Sequence, residues 1–143
     1  MPQLVKGGKY VFGWVYVRKD GSITIPNEAY LEYGFIQDKN GFITSGSKRS
    51  GGFGLTSARL LKNSILSKTL IENQNQSSKK RKVSMVKIDK GRFITLSEHI
   101  MRIFGINRDD KLLVIRGSGL ALGFIAKGPI YREAEKYSEI PLF

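Results

Sequence analysis

With 143 residues, 41% of them hydrophobic, the chain has enough apolar material for one packed domain or two very small ones, and it is not a disordered polymer. It contains no cysteine, which excludes a disulfide framework and thiolate metal sites and fits a reducing compartment. Its 24 lysines and arginines against 12 acidic residues give a formal net charge of +12, so the expected partner is polyanionic: nucleic acid before an anionic membrane surface.

The first apolar stretch, Tyr10–Val17, is far shorter than the roughly 18 residues of a membrane helix, and charge and a turn follow it, so it reads as a strand. Asp20-Gly21 is a tight-turn dipeptide, and Ser22-Ile23-Thr24-Ile25 alternates polar and apolar as a half-buried strand does. Pro26 ends that strand. Residues 27–33 form a short helix with Asn27 as its expected cap and Gly34 as its left-handed stop. A hairpin follows, Gly41–Ser45 and Gly52–Leu55 around a glycine-rich loop with Lys48-Arg49 at its tip. Thr56-Ser57 can cap an amphipathic helix reaching about Glu72, with Leu61 and Ile65 on one stripe. Residues 73–82 contain no apolar side chain and read as a linker, ending in Lys79-Lys80-Arg81-Lys82.

The same order then recurs. Met85–Ile88, the turn Lys90-Gly91 and Phe93–Leu96 make two strands; Ser97 caps a helix over 99–104, with Gly105 as its stop. Lys111–Arg116 and Leu120–Ala126 flank Gly117-Ser118-Gly119 as a second hairpin, and Pro129 opens a last helix over about 130–137. Sliding residues 15–53 forward by 71 gives ten identities in 39 positions, among them Ile23/Ile94, Gly34/Gly105, Asp38/Asp109 and Phe53/Phe124. Chance would supply roughly two or three, so the chain carries an internal repeat. A unit of about 45 residues buries too little apolar surface to stand alone, so each must bury its apolar face against another, within the chain or across chains.

Two strings carry a family resemblance. Gly21-Ser-Ile-Thr-Ile-Pro26, then Gly34-Phe35 and Asp38, and Asp89-Lys90-Gly91-Arg92-Phe93-Ile94-Thr95-Leu96, then Phe104-Gly105-Ile106 and Asp109, resemble the core pattern of the AbrB/MazE/SpoVT swapped-hairpin superfamily. The resemblance covers about 85 residues, most of both units, and two units per chain is the arrangement of its MraZ branch. It implies a mainly β fold with short helices: two tandem swapped-hairpin β-barrel units, each strand-strand-helix-strand-strand, with a helix after each. The units would span 10–55 and 85–128, with an amphipathic helix over 56–72, a basic polar linker over 73–84, and a helix and tail over 129–143. It also implies a DNA-binding regulator whose contacts come from the first hairpin and the short helix. The family's turn arginine matches Arg92, where the first copy has Ser22. Of its arginine pair late in the short helix, only Arg102 carries over.

Charge and resemblance together nominate DNA-contacting residues. Arg18 and Lys19 lie beside the first turn; Lys87, Lys90 and Arg92 lie on or beside its counterpart. Arginine can pair bidentately with guanine and lysine contacts phosphate when a β-ribbon enters a groove. Arg102 joins them through the resemblance. Lys79, Lys80, Arg81 and Lys82 would form a phosphate-contact arm, and Lys48 and Arg49 a basic loop tip. The single histidine, His99, has no second imidazole or thiol with which to build a metal site, and no nucleophile–base–orienter set can be assembled. The expectation is therefore no enzyme, no metal and no cofactor, but sequence-dependent binding of double-stranded DNA by a transcriptional regulator. That regulator would be a homo-oligomer in the cytoplasm, on the nucleoid. The alternatives are a ring- or filament-forming scaffold or adaptor, and a binder of RNA or single strands.

Overall fold

A computed structural model describes residues 10–46, 50–62, 83–117 and 120–143. The basic tip Lys48-Arg49, the arm Lys79–Lys82 and all but the start of the helix expected over 56–72 lie outside the described residues.

Eight strands are described: β1 Val11–Tyr16, β2 Ser22–Thr24, β3 Asn40–Ser45, β4 Phe53–Thr56, β5 Val83–Asp89, β6 Phe93–Thr95, β7 Lys111–Arg116 and β8 Leu122–Ile125. The helices are short: α1 Asn27–Glu32, α2 Ala58–Leu61, α3 Glu98–Phe104 and α4 Pro129–Ala134, with one 3-10 turn over Phe35–Gln37. The protein is thus mainly β, as its sequence leads one to expect. All eight strands join one sheet in the order β1-β7-β8-β4-β3-β5-β6-β2. The Arg18–Gly21 turn brings β2 back beside β1, where the Arg18 amide donates to the Ser22 carbonyl at 3.0 Å, so the sheet is nearly a closed barrel.

The pairing couples the two repeats. β1 pairs with β7, and its repeat counterpart β5 pairs with β3, in matching register: Trp14 opposite Leu113, Met85 opposite Phe42. Two further ladders join repeat to repeat. In β4–β8, Phe53 faces Phe124; in β2–β6, Ile23 faces Ile94. Ile23 and Ile94 lie 71 apart, the repeat offset, whereas in β4–β8 the counterparts that face each other are Gly54 and Gly123, 69 apart because the first hairpin loop is two residues longer; a pseudo-two-fold axis therefore passes through both ladders, on opposite walls of the barrel. Both phenylalanines and both isoleucines are buried, and the two phenyl rings stack with centroids 4.8 Å apart. Sharing strands in this way solves the size problem of the single unit. The barrel interior collects the inward-facing side chains of both copies, including Val15, Ile25, Ile43, Leu55, Val86, Leu112 and Val114. The copies differ in their hairpins. Ser45 faces Phe53 in one, whereas Arg116 faces Leu122 in the other, so the first loop is two residues longer.

The caps follow local chemistry. Ser57 and Ser97 each accept, through their hydroxyls, the amide three residues on (Leu60 and Ile100), and Gly34 and Gly105 take left-handed conformations at φ 67° and 68°. Asn27 behaves otherwise. It is the first helical residue; Pro26 holds the cap position and its carbonyl accepts from the Tyr30 amide at 2.9 Å, while the Asn27 side chain turns to Arg92.

A second apolar cluster lies outside the barrel. Val11, Trp14, Leu113, Ile115 and Ile125 point outward from β1, β7 and β8 and are covered by Ala134 of α4 and Ile140 of the tail. The tail is bonded to β1: the Trp14 amide donates to the Pro141 carbonyl (2.8 Å) and the Phe143 amide to the Trp14 carbonyl (2.9 Å). No helix among the described residues is long and apolar enough to cross a membrane.

Candidate nucleic-acid interface

The pair β2–β6, flanked by β5 and β1 in the barrel wall, makes a ribbon whose inner face is Ile23 and Ile94 and whose outer face carries Ser22, Thr24, Phe93 and Thr95. Its two ends are built alike. At one end the Leu96 amide donates to the Gly21 carbonyl (2.9 Å); at the other the Ile25 amide donates to the Arg92 carbonyl (2.8 Å). Four residue steps separate Gly21 from Ile25, so the two ends lie about 14 Å apart at the usual antiparallel rise. Each end carries a turn, Arg18–Gly21 or Asp89–Arg92, and each turn rests against the short helix of the opposite repeat. Gly21 packs so closely on the Leu96 carbonyl and the Met101 methyl that a Cβ would collide with that carbonyl. Arg92 reaches α1, where its guanidinium donates to Asn27 Oδ1 at 2.8 Å.

The nominated cations within the described residues gather at these ends. Arg18 is exposed and lies along the outer face of the ribbon, donating to the Ser22 hydroxyl at 3.2 Å and to the Thr24 hydroxyl. Lys19 is exposed in the same turn, and its carbonyl accepts Arg108 Nε at 2.7 Å. At the other end Lys87, Lys90 and Arg92 are all exposed; Lys87 points outward from β5 opposite Asn40. Arg102 lies on the exposed side of α3, lining a concavity of about 410 Å³ with Asn107 and Arg108. Lys19, Lys87, Lys90 and Arg102 enter no ion pair among the described residues.

Two cations belong with them that sequence reasoning missed. Lys39 lines a groove of about 750 Å³ together with Lys87, Lys90, Tyr30 and Ile36, and Arg108 bridges α3 to the first turn. Both sit between a helix and a strand, outside the hairpin strings that carry the motif. The repeat held no signal for either, since the offset of 71 pairs Lys39 with Asp110 and Arg108 with Gln37.

Acidic groups stand at both ends. Beside the second turn, Asp38 is tied to Arg59 at 3.0 Å, and Asp89 Oδ1 accepts the Gly91 amide at 2.7 Å. Beside the first turn stand Asp20, Glu98, Asp109 and Asp110; hydrogen bonds from the Ser22 hydroxyl and amide hold the Asp20 carboxyl below its ordinary range and keep it anionic. α1 itself carries Glu28, which accepts the Tyr10 hydroxyl, and Glu32, which pairs with Arg116, while Glu98 at the first turn pairs with Arg108, so both ends hold engaged carboxylates. The aromatics of the first half mostly fill the core: Phe12, Trp14, Tyr30, Tyr33, Phe35 and Phe53 are all buried. His99 is exposed on α3, and among the described residues no three histidine, aspartate or glutamate side chains come together as a metal site would require. Comparison with protein-family models and with curated proteins finds no match.

Proposed function

We propose that the chain is an intrachain pair of swapped-hairpin units that binds double-stranded DNA in a sequence-dependent way and regulates transcription. The observation that carries this reading is the two-ended ribbon: β2–β6 with exposed cations in the turn at each end, Lys19 at one and Lys90 and Arg92 at the other, backed by Lys87 and Arg102. The ends stand about 14 Å apart, or four base-pair steps at 3.4 Å each, so one duplex face can meet both. Phosphate contacts from the lysines would set position, and arginine would read base edges. The burial of the first-half aromatics weighs against the single-strand alternative, which needs exposed rings for base stacking.

The test is a mobility-shift titration of mixed genomic duplex fragments at two salt concentrations, with the double variant K90E/R92E beside the wild type. Binding should fall steeply with salt, by roughly 0.9 in the logarithmic slope per phosphate contacted, and the variant should lose affinity while keeping its melting temperature. Wild-type affinity in the variant removes the ribbon from the binding surface. Salt-independent or absent binding overturns the DNA reading and leaves the scaffold alternative.

A further inference from the structure

The two ends of the ribbon share a backbone frame but differ in chemistry. At the repeat positions of Arg102 and Asn107, the α1 end carries Leu31 and Ile36. These are the two most exposed large apolar side chains among the described residues, at 60% and 67%. They line one concavity of about 370 Å³ with Tyr30, Lys90 and Arg92. Two apolar side chains beside Lys90 and Arg92 are too small a patch for a stable protein interface, which needs about 800 Å² per partner. A thymine methyl group, by contrast, asks for one apolar contact, and the surrounding lysines suit the phosphates on either side.

Building on the duplex-binding reading, we infer that the protein recognises a non-palindromic duplex site made of two unlike halves. One half, under Leu31 and Ile36, is read through thymine methyl groups. The other, under Arg102, is read through a guanine edge. The two halves are separated by at least the spacing of the ribbon ends, about four base-pair steps, since the helices that carry Leu31 and Arg102 lie outside those ends. The first half also takes the larger share of the phosphate contacts, because three lysines, Lys39, Lys87 and Lys90, stand there without an ion pair among the described residues, against Lys19 and Arg102 at the other end. A symmetric operator is what a homodimer of one such unit would select; the divergence of these positions within one chain breaks that symmetry.

In vitro selection from a randomised duplex pool with the full chain, followed by affinity measurement on single-base variants of the selected site, tests this. Wild type should enrich a bipartite, asymmetric sequence with thymines in one half and guanine in the other. L31S/I36S should lose about tenfold of the discrimination at the thymine positions only, with the guanine positions and the salt slope unchanged. R102Q should relax the guanine positions only. K87Q/K90Q should weaken all sequences alike and lower the salt slope by about two contacts' worth. All these side chains are exposed, and unchanged melting curves would confirm intact folds. A palindromic selected site overturns the inference while leaving duplex binding standing. So does unaltered preference in L31S/I36S, as it would be if the patch received an acidic protein segment instead. Failure of the wild type to retain any duplex overturns the inference and the underlying reading together.

Discussion

The outer face of β1–β7 and the outer face of β5–β3 are repeat counterparts with opposite fates. On the first, Trp14, Leu113 and Ile115 are buried beneath α4 and the tail. On the second, the same register positions hold Met85, Phe42 and Thr44; Met85 is 55% exposed and the other two are half-buried. The strands, their pairing and their inward residues match. What differs is what each outward position must satisfy. Trp14 stacks edge-on against Tyr131 at 4.9 Å and takes Lys111 Nζ over its ring at 4.3 Å, whereas Met85 faces a half-wet surface with a flexible chain. The inner face of a duplicated barrel is held by its partner copy, and the outer face is free to specialise.

Truncating the two counterparts gives the sharpest break in this comparison. Trp14→Ala should cost about 3–5 kcal/mol, as large aromatic deletions from a packed site do, and should release the tail. Met85→Ala should cost less than about 1 kcal/mol, because the exposed side chain buries little. Paired urea titrations read both. Equal losses would mean that the outer faces are equivalent in energy despite their different burial.

Tyr33 separates the copies by pH. Its repeat counterpart is Phe104, and both are buried. Burial first, then the neighbouring Glu32, pushes the Tyr33 phenol up to about 12, while its hydroxyl donates to the Ala121 carbonyl at 3.1 Å. The unfolded phenol ionises near 10, so the folded state holds this proton more tightly. Its contribution is complete below pH 10 and is lost as pH climbs to 12, by nearly 3 kcal/mol at about 1.36 kcal/mol per unit. Tyr33→Phe copies the other half. It should cost about 1 kcal/mol at neutral pH, for one hydrogen bond, yet flatten the alkaline loss of stability. An unchanged alkaline transition would assign that loss to other phenols.

Gly13 and Ser84 are another counterpart pair. Gly13 stands at the irregularity of β1, with φ 155°, and a Cβ there would meet the Phe143 ring and the Pro141 carbonyl. Gly13→Ala should cost about 2 kcal/mol by lifting the tail, an overpacking effect. Ser84→Ala, on the half-buried start of β5, should stay within about 0.5 kcal/mol. Melting temperatures suffice to compare them.

Much of this architecture was legible in the chain, and the reasons are local. Alternation, turn dipeptides, serine caps and the two stop glycines each act over a few residues, so β2, α3, β7, Ser57, Ser97, Gly34 and Gly105 fall where their residues put them. The repeat made shared burial necessary. Which strand would pair with which was not legible, because the β1–β7 and β3–β5 ladders join segments far apart in sequence, and no single segment states its partner. The candidate site was half legible. The hairpin cations stand at the ribbon ends, but Lys39 and Arg108 come there only through the cross-repeat packing of turn on helix. The exposure of Leu31 and Ile36 follows from the same packing. Periodicity in so short a helix leaves their orientation open.

The finest difference lies in the turns themselves. In the ribbon the counterpart of Arg92 is Gly21 and not Ser22, with which the turn motif aligns it, and both Gly21 and Arg92 are left-handed, at φ 84° and 65°. Glycine adopts that conformation freely; for arginine it costs about 1–2 kcal/mol. Gly91 beside it does not take the left-handed role, so the strain falls on the side chain that reaches α1 and faces outward. Strain retained where a glycine would serve is the mark of a residue kept for its side chain. Arg92→Gly relieves it but loses the bond to Asn27 and adds glycine's freedom to the unfolded chain, so stability should change by less than about 1 kcal/mol in either direction. Duplex affinity should nonetheless fall, and the salt slope should shrink by about one contact if Arg92 meets phosphate, or sequence preference relax if it meets a base edge. A variant that is folded, equally stable and equally tight on DNA would reduce Arg92 to a turn residue and make the two ribbon ends alike in function as well as in frame.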